Sequence, residues 1–167
     1  MKTTKKYLAF DLGASGGRAI VGAFRDGILT LEEIHRFPND PMEVNDSVRW
    51  DVMCLFSEIK KGLAVFSKKC GRSLDGIGID TWGVDFGLFD KSGNLLENPY
   101  HYRDKRTEGM VEDVSSKIEP YSFYETTGML LSPILTLCQL YSMVKSRSPL
   151  LEHAESLLMM PGIFNFF

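Results

Sequence analysis

The stretch "AFDLGASGGRAIVGAF" (Ala9–Phe24) constrains this chain more than any other. An apolar run ends at Asp11. Five small residues follow: Gly13, Ala14, Ser15, Gly16 and Gly17. The chain turns apolar again straight after Arg18. Residues this small between two β-prone runs predict a tight strand–turn–strand unit. They leave the turn's backbone N–H groups open to an anion. Two common phosphate grips do not match. A P-loop needs Lys-Ser/Thr and then a helix, and here Arg18 opens a strand; a dinucleotide fingerprint needs G-x-G-x-x-G and a helix. Asp11, at the end of the first strand, suits a hydrated Mg²⁺, which takes one or two carboxylates plus phosphate oxygens. Ser15 offers a hydroxyl and Arg18 a fixed positive charge. An ordinary hairpin whose glycines supply positive φ is the alternative.

The rest of the chain extends this start. Tyr7–Asp11 reads as a buried strand. Arg18–Phe24 and Ile28–Phe37 read as two more, joined at Arg25-Asp26-Gly27, because Asp-Gly between apolar runs signals a hairpin. From Asp51 to Cys70 the period becomes helical. Val52, Leu55, Phe56, Ile59, Leu63 and Phe66 share a face behind an Asp51 N-cap. Leu74–Asp80 reads as a strand. In the next stretch Val84, Phe86 and Leu88 alternate, and Lys91–Asn94 turns the strand back as a hairpin. Helices follow. The last clear one is predicted to begin at Ser132-Pro133, with Leu137, Leu140, Tyr141 and Val144 on one face. "SLLMM" reads as a final strand, and Pro161 as the start of a last helix. The expected class is α/β, with a mixed sheet that starts with three antiparallel strands and is flanked by helices.

Three further stretches carry polar groups with possible chemistry. In "GIDTWGVDFGLFD" (Gly78–Asp90), Trp82 and Gly83 lie between two strands, and Asp85 falls among apolar residues. A buried carboxylate there must be paired or functional. An aromatic face, carboxylates and a glycine that allows close approach suit a sugar; a structural Trp with a turn-capping Asp is the alternative. In "HYRDKR", Arg103 and Asp104 are read either as a clamp on polar substrate groups or as surface ion pairs. His35 reads as a hydrogen-bonded strand-end residue and His153 as a surface one.

The remaining features exclude other classes. Net charge is −3, which does not point to a nucleic-acid surface. No run approaches the roughly 18 apolar residues of a membrane span. "MKTTKK" is basic, but Asp11 interrupts the apolar residues after it, unlike a signal peptide. Cys54, Cys70 and Cys138 lack metal-ligand spacing and read as reduced cytosolic thiols. The end, "MMPGIFNFF", reads as a cut inside a structural element, because uncapped apolar residues in water are unfavourable. Phe164, Phe166 and Phe167 are expected to be packed or disordered.

"DLGASGGR", "EIHRFPN", "RWD", "GIDTWGVDFGLFD", "PYHYRD" and "LLMMPGIFNFF" occur in that order. Together they resemble the N-terminal part of the FGGY family of carbohydrate kinases. "DTWGVDFGLFD" and "HRFPN" resemble the rhamnulokinase branch rather than xylulose, glycerol or gluconate kinases. The resemblance spans Tyr7–Phe167. It implies a ribonuclease H-like fold of the actin/hexokinase/Hsp70 ATPase type, with residues 1–167 an incomplete first domain. The rest of that domain and the whole second domain would lie outside the chain.

The implied reaction is transfer of the ATP γ-phosphate to the 1-hydroxyl of L-rhamnulose, with Mg²⁺, in the cytoplasm. The resemblance places Ala14, Ser15, Gly16, Gly17 and Arg18 at the ATP phosphates and Asp11 in the Mg²⁺ shell. It places Gly83 at the ketose, with Trp82, Asp85 and Arg103 nearby. No catalytic residue is implied within the chain: the base, an Asp in a "GTHDT"-like motif, would lie beyond Phe167. The chain alone is expected to be inactive and, with a domain interface exposed, to self-associate. The competing readings are another FGGY ketose or polyol kinase, and a non-catalytic nucleotide- or sugar-binding module of the actin-like superfamily.

Overall fold

The computed structural model describes residues 4–167; the first three residues of the basic opening lie outside it. The chain divides into two compact units. The first comprises residues up to Asp40, Asp51–Trp82 and Pro161–Phe167; the second comprises Pro41–Trp50 and Gly83–Met160.

The first unit is built on a four-stranded sheet. Its strands are β1 (Lys5–Gly13), β2 (Gly16–Arg25), β3 (Ile28–Pro38) and β6 (Gly76–Thr81), in the order β3-β2-β1-β6. The first three run antiparallel and β6 pairs parallel to β1, so the expected mixed sheet is present. Asp26 and Gly27 take φ of 52° and 82°, the left-handed pair that matches the twist of the strands they join. Helix α1 (Val52–Cys70) is capped by the Asp51 carboxylate, which accepts from the Cys54 N–H at 2.9 Å.

Val52, Leu55, Ile59, Gly62 and Phe66 of α1 are buried, as are Leu8, Phe10, Leu12, Ala19, Val21 and Phe37 of the sheet. Gly62 lets the helix backbone sit directly on Phe10 and Ala19. Only alternate residues of β1 are buried, and Tyr7 is exposed, so the reading of Tyr7–Asp11 as buried throughout is corrected to one covered face. His35 is hydrogen-bonded, its Nε2 lying 2.6 Å from Glu58 Oε2. Among the described residues no helix is long and apolar enough to cross a membrane.

The second unit holds two small sheets: β4 (Met42–Val44) with β5 (Ser47–Arg49), and β7 (Phe86–Phe89) with β8 (Ser156–Met159). Its helices are α2 (Met110–Ser115), α3 (Pro120–Thr127), α4 (Thr136–Lys145) and α5 (Leu150–His153). Helix α6 (Met160–Phe166) starts where β8 ends. Phe86, Leu88 and Met143 form one core cluster; Met110, Val114 and Cys138 form another.

Three sequence expectations change here. All four residues of β7 are buried, so Phe86 and Leu88 mark a two-sided strand, and Val84 lies outside it. The turn at Lys91–Asn94 forms, since Asp90 N–H donates to Asn94 O, but it returns only an isolated bridge, Phe89–Leu95. The partner strand of β7 is β8. Finally, Ser132–Leu135 forms a turn, and α4 starts at Thr136. Its buried face is Cys138, Gln139, Ser142 and Met143, while Leu137 and Val144 are exposed. A buried polar network, described below, draws Gln139 inward and rotates the helix away from its apolar stripe.

At the chain's end Phe164 is buried, Phe167 sets its ring 5.2 Å from that of Phe56, and Phe166 is 55% exposed.

Candidate functional site

The phosphate-grip candidate lies in the first unit. Gly13 pairs with Gly16, so only Ala14 and Ser15 form the loop between β1 and β2. None of its glycines has positive φ. Their role is space. A Cβ on Gly17 would lie 2.4 Å from the Phe37 ring, one on Gly16 would lie 3.0 Å from Phe37 O, and one on Gly13 would lie 3.2 Å from Gly16 O. Glycine as a source of positive φ is therefore ruled out for this loop.

Asn39, buried at 4% exposure, braces the loop. Its Nδ2 donates to Gly13 O at 2.9 Å, and its backbone N–H donates to Ser15 O at 3.4 Å. An open depression results, lined by Asp11, Gly13, Ser15, Gly16, Gly17, Arg18, Arg36, Phe37 and Pro38. Of the predicted phosphate residues, Ala14 alone is not in this lining.

Charge is concentrated there. Arg18 Nε and Nη2 both reach Asp11 Oδ2, at 2.8 and 2.7 Å. That leaves Asp11 Oδ1 without a protein donor among the described residues. Arg36 sits opposite Arg18 across the β2–β3 pair. It is held by Glu33, whose carboxylate raises the guanidinium above its ordinary value. The hydrogen bond from Arg36 in turn holds Glu33 below its ordinary value. Sequence reasoning missed Arg36 and Asn39. The signal for Arg36 was its place in "HRFPN", two residues before the strand ends at Pro38.

The parallel register sets Asp80 beside Asp11. Among the described residues no three His, Cys, Asp or Glu gather as a metal cage. One or two carboxylates beside a phosphate grip is the donor set of a Mg²⁺ that keeps its waters, so these residues fit that ion.

Trp82, partly buried, is the last residue of the Asp51–Trp82 segment of the first unit. The other sugar-site candidates belong to the second. Gly83 is exposed. Asp85 is fully buried, and both its oxygens are occupied: Oδ2 accepts from Trp50 Nε1 at 2.6 Å and Oδ1 from Gln139 Nε2 at 2.8 Å. The reading of Asp85 as an acceptor for sugar hydroxyls is corrected to a paired carboxylate, because no face of it is open.

Gln139 Oε1 accepts from Arg106 Nη2 at 2.7 Å. The Arg106 guanidinium lies 3.8 Å over the Tyr100 ring, whose other cationic neighbour is Arg49 at 3.9 Å. Burial lowers Arg106 from its ordinary value, opposed by Tyr100 and by Asp104, Glu97 and Asp85. Trp50 stacks on His101 with centroids 4.2 Å apart.

Arg103 and Asp104 part company. Asp104 is buried and accepts from the N–H groups of Val48 at 2.7 Å and Arg106 at 2.9 Å, so it stabilises the fold instead of clamping a substrate. Arg103 is exposed and lines an open depression with Tyr102, Glu108, Ser132 and Ile134.

Comparison with known proteins decides the family. Residues 6–165 match the model of the FGGY family of carbohydrate kinases, N-terminal domain. The chain belongs to the FGGY family. It is 42% identical over 162 residues to a rhamnulokinase of Bacteroides thetaiotaomicron, covering 97% of this chain and 33% of that protein. It is 43% identical over 162 residues to a rhamnulokinase of Halalkalibacterium halodurans, covering 95% and 34%. This FGGY chain thus spans about a third of the length of the curated relatives it matches. A gluconate kinase structure from Lactobacillus acidophilus superimposes with a TM-score of 0.84 at 13% identity, over 98% of this chain and 33% of that one. The expected fold, shared with FGGY sugar kinases, is present.

Proposed function

We propose that this chain is the N-terminal part of a rhamnulokinase, an incomplete first domain. The enzyme would move the ATP γ-phosphate to the 1-hydroxyl of L-rhamnulose in the cytoplasm. The observation that carries the reading is identity above 40% to rhamnulokinases along nearly the whole chain. The braced glycine loop beside Asp11, Arg18 and Arg36 supports it.

In this mechanism the sugar's 1-hydroxyl oxygen bonds to the γ-phosphorus. The bond from that phosphorus to the β–γ bridging oxygen breaks, and ADP leaves. The hydroxyl proton passes to a carboxylate outside this chain. Bound Mg²⁺ would supply charge neutralisation at the phosphate oxygens. Gly13, Gly16 and Gly17 let the triphosphate approach the backbone, beside Ser15 and next to Ala14. Arg18 and Arg36 meet its negative charge. Asp11 would offer its carboxylate to the Mg²⁺ shell. Trp82 stacks on the sugar, Gly83 lets it come close, and Arg103 binds its polar groups. Positioning and electrostatic stabilisation dominate such transfers, so one wall of a cleft does not suffice.

The test is ADP release by the natural protein carrying this chain, offered L-rhamnulose, D-xylulose, glycerol or D-gluconate. Turnover should favour L-rhamnulose. Trp82→Ala should weaken rhamnulose binding and leave ATP binding intact, and Asp11→Asn should lower turnover about 100-fold or more. The isolated 167 residues should show no turnover. Equal turnover of another sugar defeats the rhamnulose assignment, and an unaffected Trp82→Ala defeats the stacking role.

A further inference from the structure

Val84 has φ of 68°. A β-branched residue in the left-handed region is an outlier that persists only where its surroundings hold it. Asp85 N–H donates to Gly83 O at 2.9 Å, closing a three-residue turn around Val84. The Val84 carbonyl accepts from Thr136 Oγ1 at 2.8 Å and from Gln139 Nε2 at 3.3 Å. Gln139 is 1% exposed. Its Oε1 is committed to Arg106, which turns its NH₂ toward Asp85 Oδ1 at 2.8 Å, Ile134 O at 3.0 Å and Val84 O. A buried polar chain is thus spent on one strained turn.

The residue that this turn displays is Gly83. It lacks positive φ, and a Cβ there would meet nothing within 4 Å. Among the described residues, neither backbone conformation nor packing calls for glycine here. The remaining physical reason for a glycine is close approach by something else.

We propose that Thr136 and Gln139 are positioning residues that hold the Val84 turn so that Gly83 presents its bare backbone to the sugar. This rests on the kinase reading above. Neither residue touches the substrate. Thr136 is the cleaner probe, because it contributes one hydroxyl and sits at the edge of the buried chain.

The experiment uses the natural protein with Thr136→Val, Thr136→Ser and the double variant Thr136→Val/Val84→Gly. It measures KM for L-rhamnulose, KM for ATP and hydrogen exchange of the Asp85 amide. Thr136→Val should raise the sugar KM about tenfold and leave that for ATP within about twofold, as loss of one hydrogen bond implies. Thr136→Ser keeps the hydroxyl and should match the parent. Val84→Gly suits the left-handed turn and should rescue Thr136→Val. Exchange at Asp85 should quicken about tenfold in Thr136→Val. A parent that turns over L-rhamnulose while Thr136→Val leaves its KM unchanged, or shifts both KM values alike, overturns the positioning role. Unchanged Asp85 exchange overturns the clamp even in an inactive parent. A parent without rhamnulose-dependent turnover overturns the kinase reading instead.

Discussion

Gly62→Ala sets two effects of known size against each other. In an ordinary helix interior, alanine in place of glycine is worth about 1 kcal/mol in favour of the helix. Gly62 lies in the middle of α1 and faces the sheet. Its new Cβ would stand 2.6 Å from Phe10 Cε1, 3.2 Å from Phe10 Cζ and 3.1 Å from Ala19 Cβ. Carbon atoms prefer about 3.5–4.0 Å, so about 1 Å must open between helix and sheet, or the Phe10 ring must leave its well. Phe10 is 1% exposed and Ala19 is 0% exposed, so neither has room to withdraw. Overpacking of this kind costs about 1–3 kcal/mol.

The clash should win, for a net loss of about 1 kcal/mol and a melting temperature lower by about 2–4 °C. Urea denaturation followed by helical circular dichroism measures the loss. Phe10→Leu makes room for the methyl group, so the double variant should be less unstable than the two single changes added together. A Gly62→Ala protein as stable as its parent, or strict additivity with Phe10→Leu, refutes the close-packing argument.

Asn39→Ala removes the donor to Gly13 O and should cost about 1–2 kcal/mol while weakening Mg·ADP binding in calorimetry; unchanged affinity refutes the brace. Tyr100→Leu keeps apolar bulk but removes the ring between Arg49 and Arg106. The unfolding free energy should fall by about 1–3 kcal/mol, and no loss would mean that these cation–π contacts contribute nothing. Burial lowers His101 from its ordinary value and Arg103 acts the same way, while Asp85 and Asp104 oppose. Its folded value lies below its unfolded one, so the neutral ring's contribution is complete above about pH 6.5 and is lost as pH falls below that. Its Nδ1 accepts from the Arg103 N–H, which requires that nitrogen to be unprotonated. Melting temperatures between pH 8 and pH 5.5 should show the loss, and His101→Gln should flatten it; a parent-like slope in that variant refutes the assignment.

Local chemistry was legible in the sequence. The Asp26-Gly27 turn needs left-handed backbone that these residues adopt, so the hairpin could be read from two letters. Asp51 and the apolar spacing behind it located α1 because a cap and a 3.6-residue period act within one helix. The Gly-rich loop with Asp11 and Arg18 could be read as a strand–turn–strand unit because small residues between two β-prone runs leave little else possible, and the ordered motifs named the family.

Tertiary structure decided what depends on distant partners. β7 forms its ladder with β8, from the far end of the chain, and only a single bridge, Phe89–Leu95, with the residues after its own turn; all four of its residues are buried. The buried face of α4 follows Gln139, whose amide is drawn in by Asp85 and Arg106 against the apolar stripe. Asp85 became a support because Trp50 and Gln139 converge on it from distant positions in sequence. Even in the loop, Gly16 and Gly17 have no room for a side chain because of Phe37, on a neighbouring strand, whose carbonyl faces Gly16 and whose ring faces Gly17. Turn chemistry and periodicity are short-range and show in adjacent letters; packing and hydrogen-bond satisfaction are long-range, and no local pattern records which partner will satisfy them.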